Sequence, residues 1–159
     1  MNIPSHFPEL NFPPHQFRVK EEKGHYKIFD PVRKKFVALT PEEWVRQHVI
    51  AYLHEAKAYP LSLLMVEKEF TYNTLSKRAD IVACNNSGTP LLIVECKSFD
   101  VGISQETFDQ AVHYNLALHV NFLLVTNGIN TFCCSLENGE YKALQDIPNY
   151  TELRMKNEE

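Results

Sequence analysis

The stretch "LLIVECKSF", residues 91–99, constrains this chain more than any other. Residues two apart in a strand share a face, so Leu91, Ile93, Glu95 and Lys97 line one side while Leu92, Val94 and Cys96 line the other. Both sides are apolar, which predicts a central strand covered on both faces. Yet the strand ends by turning a carboxylate and an ammonium toward the interior, where an ion is costly unless it is paired or bound to something. The triplet Glu-x-Lys is uninformative alone, since it recurs at Glu21/Lys23, Glu55/Lys57 and Glu140/Lys142. A plain strand-end ion pair is the bland account, and only the surroundings of Glu95 and Lys97 can displace it.

A chain of 159 residues is long enough to enclose a real core as one domain. The proportions, 44% apolar and 23% charged, are those of a folded protein and exclude a disordered one. Runs such as Leu61-Ser62-Leu63-Leu64-Met65-Val66 fall far short of a membrane span of about 20 residues. The start, MNIPSHFPEL, has neither a basic opening nor a signal-peptide apolar core, so no membrane association and a cytoplasmic location are expected. Cys84, Cys96, Cys133 and Cys134 show no zinc spacing, and reduced, buried thiols are the expectation for them. The histidines, His48, His54, His113 and His119 among them, likewise lack metal spacing and are expected in packing or surface roles. The net charge of −4 argues against a general nucleic-acid coat protein but leaves room for an acidic, cation-binding site.

Residues 1–16 carry four prolines and read as an irregular arm. "FRVKEE", "HYKIFD" and "KKFVAL" then predict a small antiparallel β element, so residues 1–39 are read as an arm and β element packed on a main unit spanning 40–150. The basic cluster "VRKK" (32–35) reads as a solvated turn, with contact to phosphates as the other account. The main unit opens with a helix in "LTPEEWVRQHVIAYLHEA": Thr40 is a good N-cap, Pro41 suits the first helical position, and Glu43 completes a capping box. Val45, Val49, Tyr52, Leu53 and Ala56 define its buried face, and Tyr59-Pro60 ends it. Three strands follow in "LLMVEKEFTY" (63–72), "RADIVAC" (78–84) and "LLIVECK" (91–97). A helix capped by Ser104 comes next, then the strand "NFLLVT" and an Asn-Gly hairpin in "TFCCSLENGEYKAL" with a type I′ turn. The fold class is mixed α/β, in the order helix, three strands, helix, strand, with additions at each end.

"NNSGTP" joins the second and third strands as a hairpin. A loop centred on Ser87-Gly88 sets Asp80 directly across from Glu95, and a slip of one residue would send the two to opposite faces. Carboxylates with Cβ atoms about 5 Å apart repel unless one is protonated or a cation bridges them. A divalent cation such as Mg²⁺ takes hard oxygen ligands and often only one or two protein carboxylates. Beside it, Lys97 would stabilise developing negative charge or orient a water. On the first helix Glu42 falls about 60° from the direction of Val45 and Glu43 about 160° away. The capping box accounts for Glu43 but not for Glu42, which Arg46 can hold as an i,i+4 pair. A first-turn acid favoured by the helix dipole is the other account of Glu42. Gln110 and Tyr114, one turn apart beside the Phe108/Ala111/Val112 face, form either a ligand grip or a solvated stripe.

Taken together, Glu42, "RAD" with Asp80, "ECK" with Glu95 and Lys97, and Gln110-x-x-x-Tyr114 resemble the PD-(D/E)xK nucleases of the restriction-endonuclease-like superfamily. The glutamine-tyrosine pair, "TPEEWVRQ" and "VTNG" look most like the N-terminal nuclease domain of type I restriction enzyme R (motor) subunits. The resemblance runs over residues 40 to 130, and Ala79 stands where the superfamily motif has a proline. It implies a restriction-endonuclease-like α-β-β-β-α-β core, a central mixed sheet flanked by helices. It also implies Mg²⁺ (or Mn²⁺) held by Asp80, Glu95 and the Cys96 carbonyl, with Glu42 assisting the metal or water. Lys97 would position the attacking water for in-line hydrolysis of a DNA phosphodiester, and Gln110, Tyr114, Arg46 and Arg78 would contact DNA. The implied partners are DNA and other restriction-modification or motor subunits. Two function classes stay open: a metal-dependent deoxyribonuclease, and a catalytically silent nuclease-fold module that binds DNA or protein. The intact acid-acid-lysine set favours the first, whereas the chain has no G-x-x-x-x-G-K-[ST] phosphate loop of its own.

Overall fold

The computed structural model describes residues 3–157, the side chains of Tyr72 and Leu75 excepted. Strands β1 (Val19–Glu22), β2 (His25–Asp30) and β3 (Lys35–Ala38) form a small antiparallel sheet. Helix α1 (Pro41–Ala51) runs on into a π-helical turn at Tyr52–Ala56. The long meander β4 (Leu64–Tyr72), β5 (Leu75–Cys84) and β6 (Pro90–Cys96) follows. Helix α2 (Gln105–Leu118) crosses over to β7 (Phe122–Thr126), and the hairpin β8 (Thr131–Glu137) and β9 (Glu140–Leu144) leads to α3 (Tyr150–Asn157). The six strands β4 to β9 lie side by side in chain order. Only the β6–β7 pair among them is parallel, which is why a helix must connect those two. The α-β-β-β-α-β order expected from the sequence is thus observed.

β6 is third in the sheet, and every residue from Leu91 to Cys96 is buried. On one face Val45, Val49 and Leu53 of α1 and Leu153 of α3 pack with Ile81, Ala83, Leu92, Val94 and Cys96. On the other, Ala111 of α2 packs on Leu123 and Val125, and Leu118 on Val82 and Ile93. Fully burying side chains such as Leu91, Leu92 and Val94 stabilises by about 1.5–3 kcal/mol each, so this strand anchors the domain. The hairpin loop before it is held by Asn85, whose side chain accepts from the N–H groups of Ser87 and Thr89, while Gly88 takes a positive φ of 81°.

Both helix caps are as expected in part. Ser104 accepts from Thr107 N–H, and Thr40 from Glu43 N–H at 3.1 Å. The reciprocal half of the α1 capping box does not form, because the Glu43 side chain turns inward and Thr40 N–H donates to Ala38 O. The π-helical turn adds a residue to one helical repeat, which rephases the buried stripe: Leu53 stays inside, but Ala56 is exposed. The Asn138-Gly139 turn has φ of 52° and 78°, as a type I′ turn requires.

The arm is tied down more firmly than its composition suggests. Phe7, Leu10 and Phe17 are buried in the main core, Trp44 Nε1 donates to Pro8 O, and Asn11 N–H donates to Gly128 O. Helix α3, which the sequence reading did not contain, closes the α1 face: Tyr150 donates its hydroxyl to Cys84 O and Leu153 is fully buried. No helix among the described residues is long and apolar enough to cross a membrane. Replacing Leu153 by Ala is expected to lower the unfolding free energy by about 2–5 kcal/mol, read from the urea midpoint at unchanged m-value.

Candidate active site

The site forms where two strands part. β5 and β6 pair as Ile81↔Val94, Val82↔Ile93 and Ala83↔Leu92, a register that, carried one residue further, sets Asp80 beside Glu95. The ladder ends there. Beyond it the Asp80 carboxylate takes the place of a main-chain acceptor, with Oδ2 accepting from Cys96 N–H at 2.7 Å. On the opposite side Lys97 N–H donates to Thr126 O at 2.8 Å, so β6 stays attached to β7 while it leaves β5. In an extended strand the N–H and C=O of one residue point the same way, so the Cys96 carbonyl faces the same fork. β4 is irregular at the same level: Val66 pairs with Ile81 and Lys68 with Ala79, and Glu67 between them has a positive φ of 56°. Such backbone costs energy in a non-glycine residue and gathers at functional sites.

Helix α1 lays its first two turns against the fork. Arg46 Nη2 donates to Asp80 Oδ1 at 3.0 Å, and Glu42 Oε1 lies 3.7 Å from the same nitrogen, the i,i+4 pair expected. Arg46 Nη1 donates to Glu43 Oε1 at 2.8 Å and lies 3.7 Å from Glu67 Oε1. Glu43 is itself buried, accepting from Arg33 Nη2 at 2.8 Å and from Gln47 Nε2 at 3.0 Å. Arg33 also donates to the fully buried Asp30. The "VRKK" turn is therefore not simply solvated, because Arg33 folds under it to neutralise two acids.

The second carboxylate has a different partner. Glu95 is nearly buried and sits 2.9 Å from Lys77 Nζ, whose charge also lies 4.5 Å from the centre of the Tyr114 ring. Burial pushes the Glu95 carboxyl up, with Asp80 adding repulsion and Lys77 and Lys97 opposing it. Glu42 is half exposed, yet its carboxyl is raised to about 6 by loss of solvent, by a hydrogen bond shared with Asp80 and by that acid's charge, against the pull of Arg46 and Lys97. Glu42, Asp80, Glu95 and Lys97 are thus close enough to feel one another. Burial drives the Cys96 thiol far above its ordinary range, so its sulfur is chemically inert.

The other sequence candidates are placed as follows. Gln110 is exposed on α2 and Tyr114, one turn on, is half-buried. Arg78 is exposed and pairs across the ladder with Glu69. All four cysteines are free and buried. His48 packs between Trp44 and Phe17 with Nδ1 against Trp44 O, and His54 Nδ1 meets Tyr59 O. Missing from the sequence reading were Lys77, Arg33 and Glu67. Lys77 had an available signal, since it lies three residues before Asp80 in the lengthened β5, whereas Arg33 and Glu67 come from distant segments.

As a cation site the fork offers hard donors only, two carboxylates and a main-chain carbonyl, with a third acid alongside. That chemistry fits a divalent ion such as Mg²⁺ or Mn²⁺. Among the described residues no three His, Cys, Asp or Glu side chains are gathered tightly enough to hold an ion as they stand, because Asp80 is turned to Arg46 and Glu95 to Lys77.

A mixed sheet with helices on both faces, and acids and a lysine collected where two strands diverge, defines a nuclease-like α/β domain. The family model for the type I restriction enzyme R protein N terminus (HSDR_N) matches residues 41–148, and the chain belongs to that family. Among solved structures it is similar to a fragment assigned as an HsdR subunit of a type I restriction enzyme from Vibrio vulnificus YJ016. The TM-score is 0.58 at 22% identity, over 75% of this chain and 25% of that one. That likeness establishes the fold, and this chain spans a quarter of the other's length. No curated protein matches.

Two outcomes test the charge network. Arg46→Met leaves Glu43 and Asp80 without their shared cation and is expected to cost about 3–5 kcal/mol in urea unfolding. Glu42 carries a folded-state pKa above its ordinary 4.5, so its neutral form is favoured on folding, and stability falls as pH rises through about 6. Glu42→Gln removes that loss. The variant is expected to gain on wild type in unfolding free energy, read from urea midpoints, between pH 4 and pH 7.5, by less than about 1 kcal/mol because the side chain is half in solvent.

Proposed function

We propose that this domain is a metal-dependent DNA endonuclease module that hydrolyses phosphodiester bonds within a type I restriction system. The observation that carries the reading is the fork, where Asp80 Oδ2 accepts from Cys96 N–H and the charges of Glu42, Glu95 and Lys97 lie near enough to act on one another, all within the family segment. Asp80, Glu95 and the Cys96 carbonyl would hold Mg²⁺ (or Mn²⁺), which when bound polarises a phosphoryl oxygen and lowers the pKa of water. Lys97 orients the attacking water by donating to it and offsets negative charge as it builds on the phosphate. Glu42, with its raised pKa, is suited to accept the water's proton near neutral pH. Tyr114 and Gln110 on α2, with Arg78 on β5, would meet the DNA backbone, and Arg46 holds Asp80 in line from α1. DNA and the other subunits of a restriction-modification complex are the proposed partners.

A second reading, a silent module that binds DNA or protein, is favoured by one observation: both site carboxylates already have protein cations as partners. Plasmid nicking in Mg²⁺ or Mn²⁺ separates the two. Wild type is expected to cut, with Asp80→Ala and Lys97→Ala each slowing it by about 10²-fold or more. Cutting that persists unchanged in both variants would overturn the site, and a wild type inert with either metal on any DNA form would favour the silent module.

A further inference from the structure

Lys77 belongs to none of the motif residues, yet it is the group most intimately placed on Glu95. It stands on β5 opposite Phe70, in the stretch Leu75–Ala79 that pairs with β4 after β5 has left β6. This two-stranded ribbon carries its ammonium over the end of β6, to 2.9 Å from Glu95 Oε1 and 4.5 Å from the Tyr114 ring centre. Tyr114, Lys77, Glu95, Asn115 and Phe70 line one tight cavity beneath the ribbon. Three charged groups face Glu95: Lys77, Lys97 and Asp80. Lys77 is a quarter exposed and Glu95 about a tenth, so the pair is open to solvent on the lysine side only. A cation held by an aromatic face and one carboxylate loses half of its partners when that carboxylate is taken by another ion.

We infer that Lys77 is a resident counter-ion of Glu95 that a divalent cation displaces, and that the freed ammonium then binds a DNA backbone phosphate beside Tyr114. This rests on the proposed role of Glu95 as a metal ligand. Displacement makes metal and DNA binding reinforce each other, because each removes a competitor for the other's partner. Without DNA, the metal must break the Lys77–Glu95 pair and leave the ammonium with only Tyr114. With DNA, a phosphate takes it.

The experiment is calorimetric titration of Mn²⁺ into the full chain, as wild type, Lys77→Gln and Lys77→Arg, with no DNA present. Lys77→Gln is expected to bind Mn²⁺ about three- to tenfold more tightly than wild type, and Lys77→Arg within about twofold of it. The same substitutions in a Lys97→Ala background are then titrated with a short duplex at saturating Mn²⁺ across a salt series. There Lys77→Gln is expected to lower the slope of log K against log salt by about 0.9, one phosphate contact. Unchanged Mn²⁺ affinity in Lys77→Gln overturns the counter-ion role, and an unchanged salt slope overturns the phosphate contact. Absence of Mn²⁺ binding in every protein overturns the metal reading of Glu95 itself, and the displacement with it.

Discussion

One hydrogen bond organises this domain: Cys96 N–H to the carboxylate of Asp80. A main-chain donor at the end of a central strand would normally be met by the next rung of the ladder. Here a side chain meets it, which lets β5 swing away without leaving a buried N–H unsatisfied. The divergence opens the fork, and the ribbon of β4 and β5 overhangs it. Glu95 and Lys97 would end a closed sheet edge were Asp80 an apolar residue.

Holding an acid there requires cations, and the structure supplies them in a graded chain. Asp30 and Glu43 lie deep and are neutralised by Arg33 and Arg46, Arg46 passes its second edge to Asp80, and Lys77 serves Glu95. Each acid nearer the surface is less completely paired, ending with Glu42, whose carboxyl is raised by loss of solvent and by the nearby Asp80. Arg46 Nε is buried with no hydrogen-bond partner among the described residues, so the guanidinium is held by two of its three nitrogens. An arrangement with spare negative charge at its open end and spare donors at its closed end is polarised toward whatever cation enters the fork.

How legible this was depended on range. β6 was plain because apolar residues on both faces have one common outcome. The β5–β6 hairpin was legible from the Asn and Gly chemistry of its loop, but its register beside Asp80 depends on a bulge at Ala83/Cys84, without which the Cys84–Pro90 pairing would set Asp80 opposite Val94. The Ser104 cap and the Asn138-Gly139 turn were equally local. The inward turn of Glu43 was not, because a capping box satisfies it locally and only the arrival of Arg33 from the small sheet makes the interior better. Nor was α3, a short polar helix whose buried contribution is Tyr150 and Leu153 filling space beside α1. The π-helical turn that exposes Ala56 had no signature in the apolar spacing.

The sequence by itself determined the buried strand that ends in Glu95 and Lys97, and strand alternation with a hairpin signal brought Asp80 into their neighbourhood. Tertiary structure alone decided their state. Arg46 rather than a second strand holds Asp80, Lys77 holds Glu95, and Glu42 leans on Asp80, because charges brought together across segments choose partners by distance and burial, which spacing along the chain does not encode.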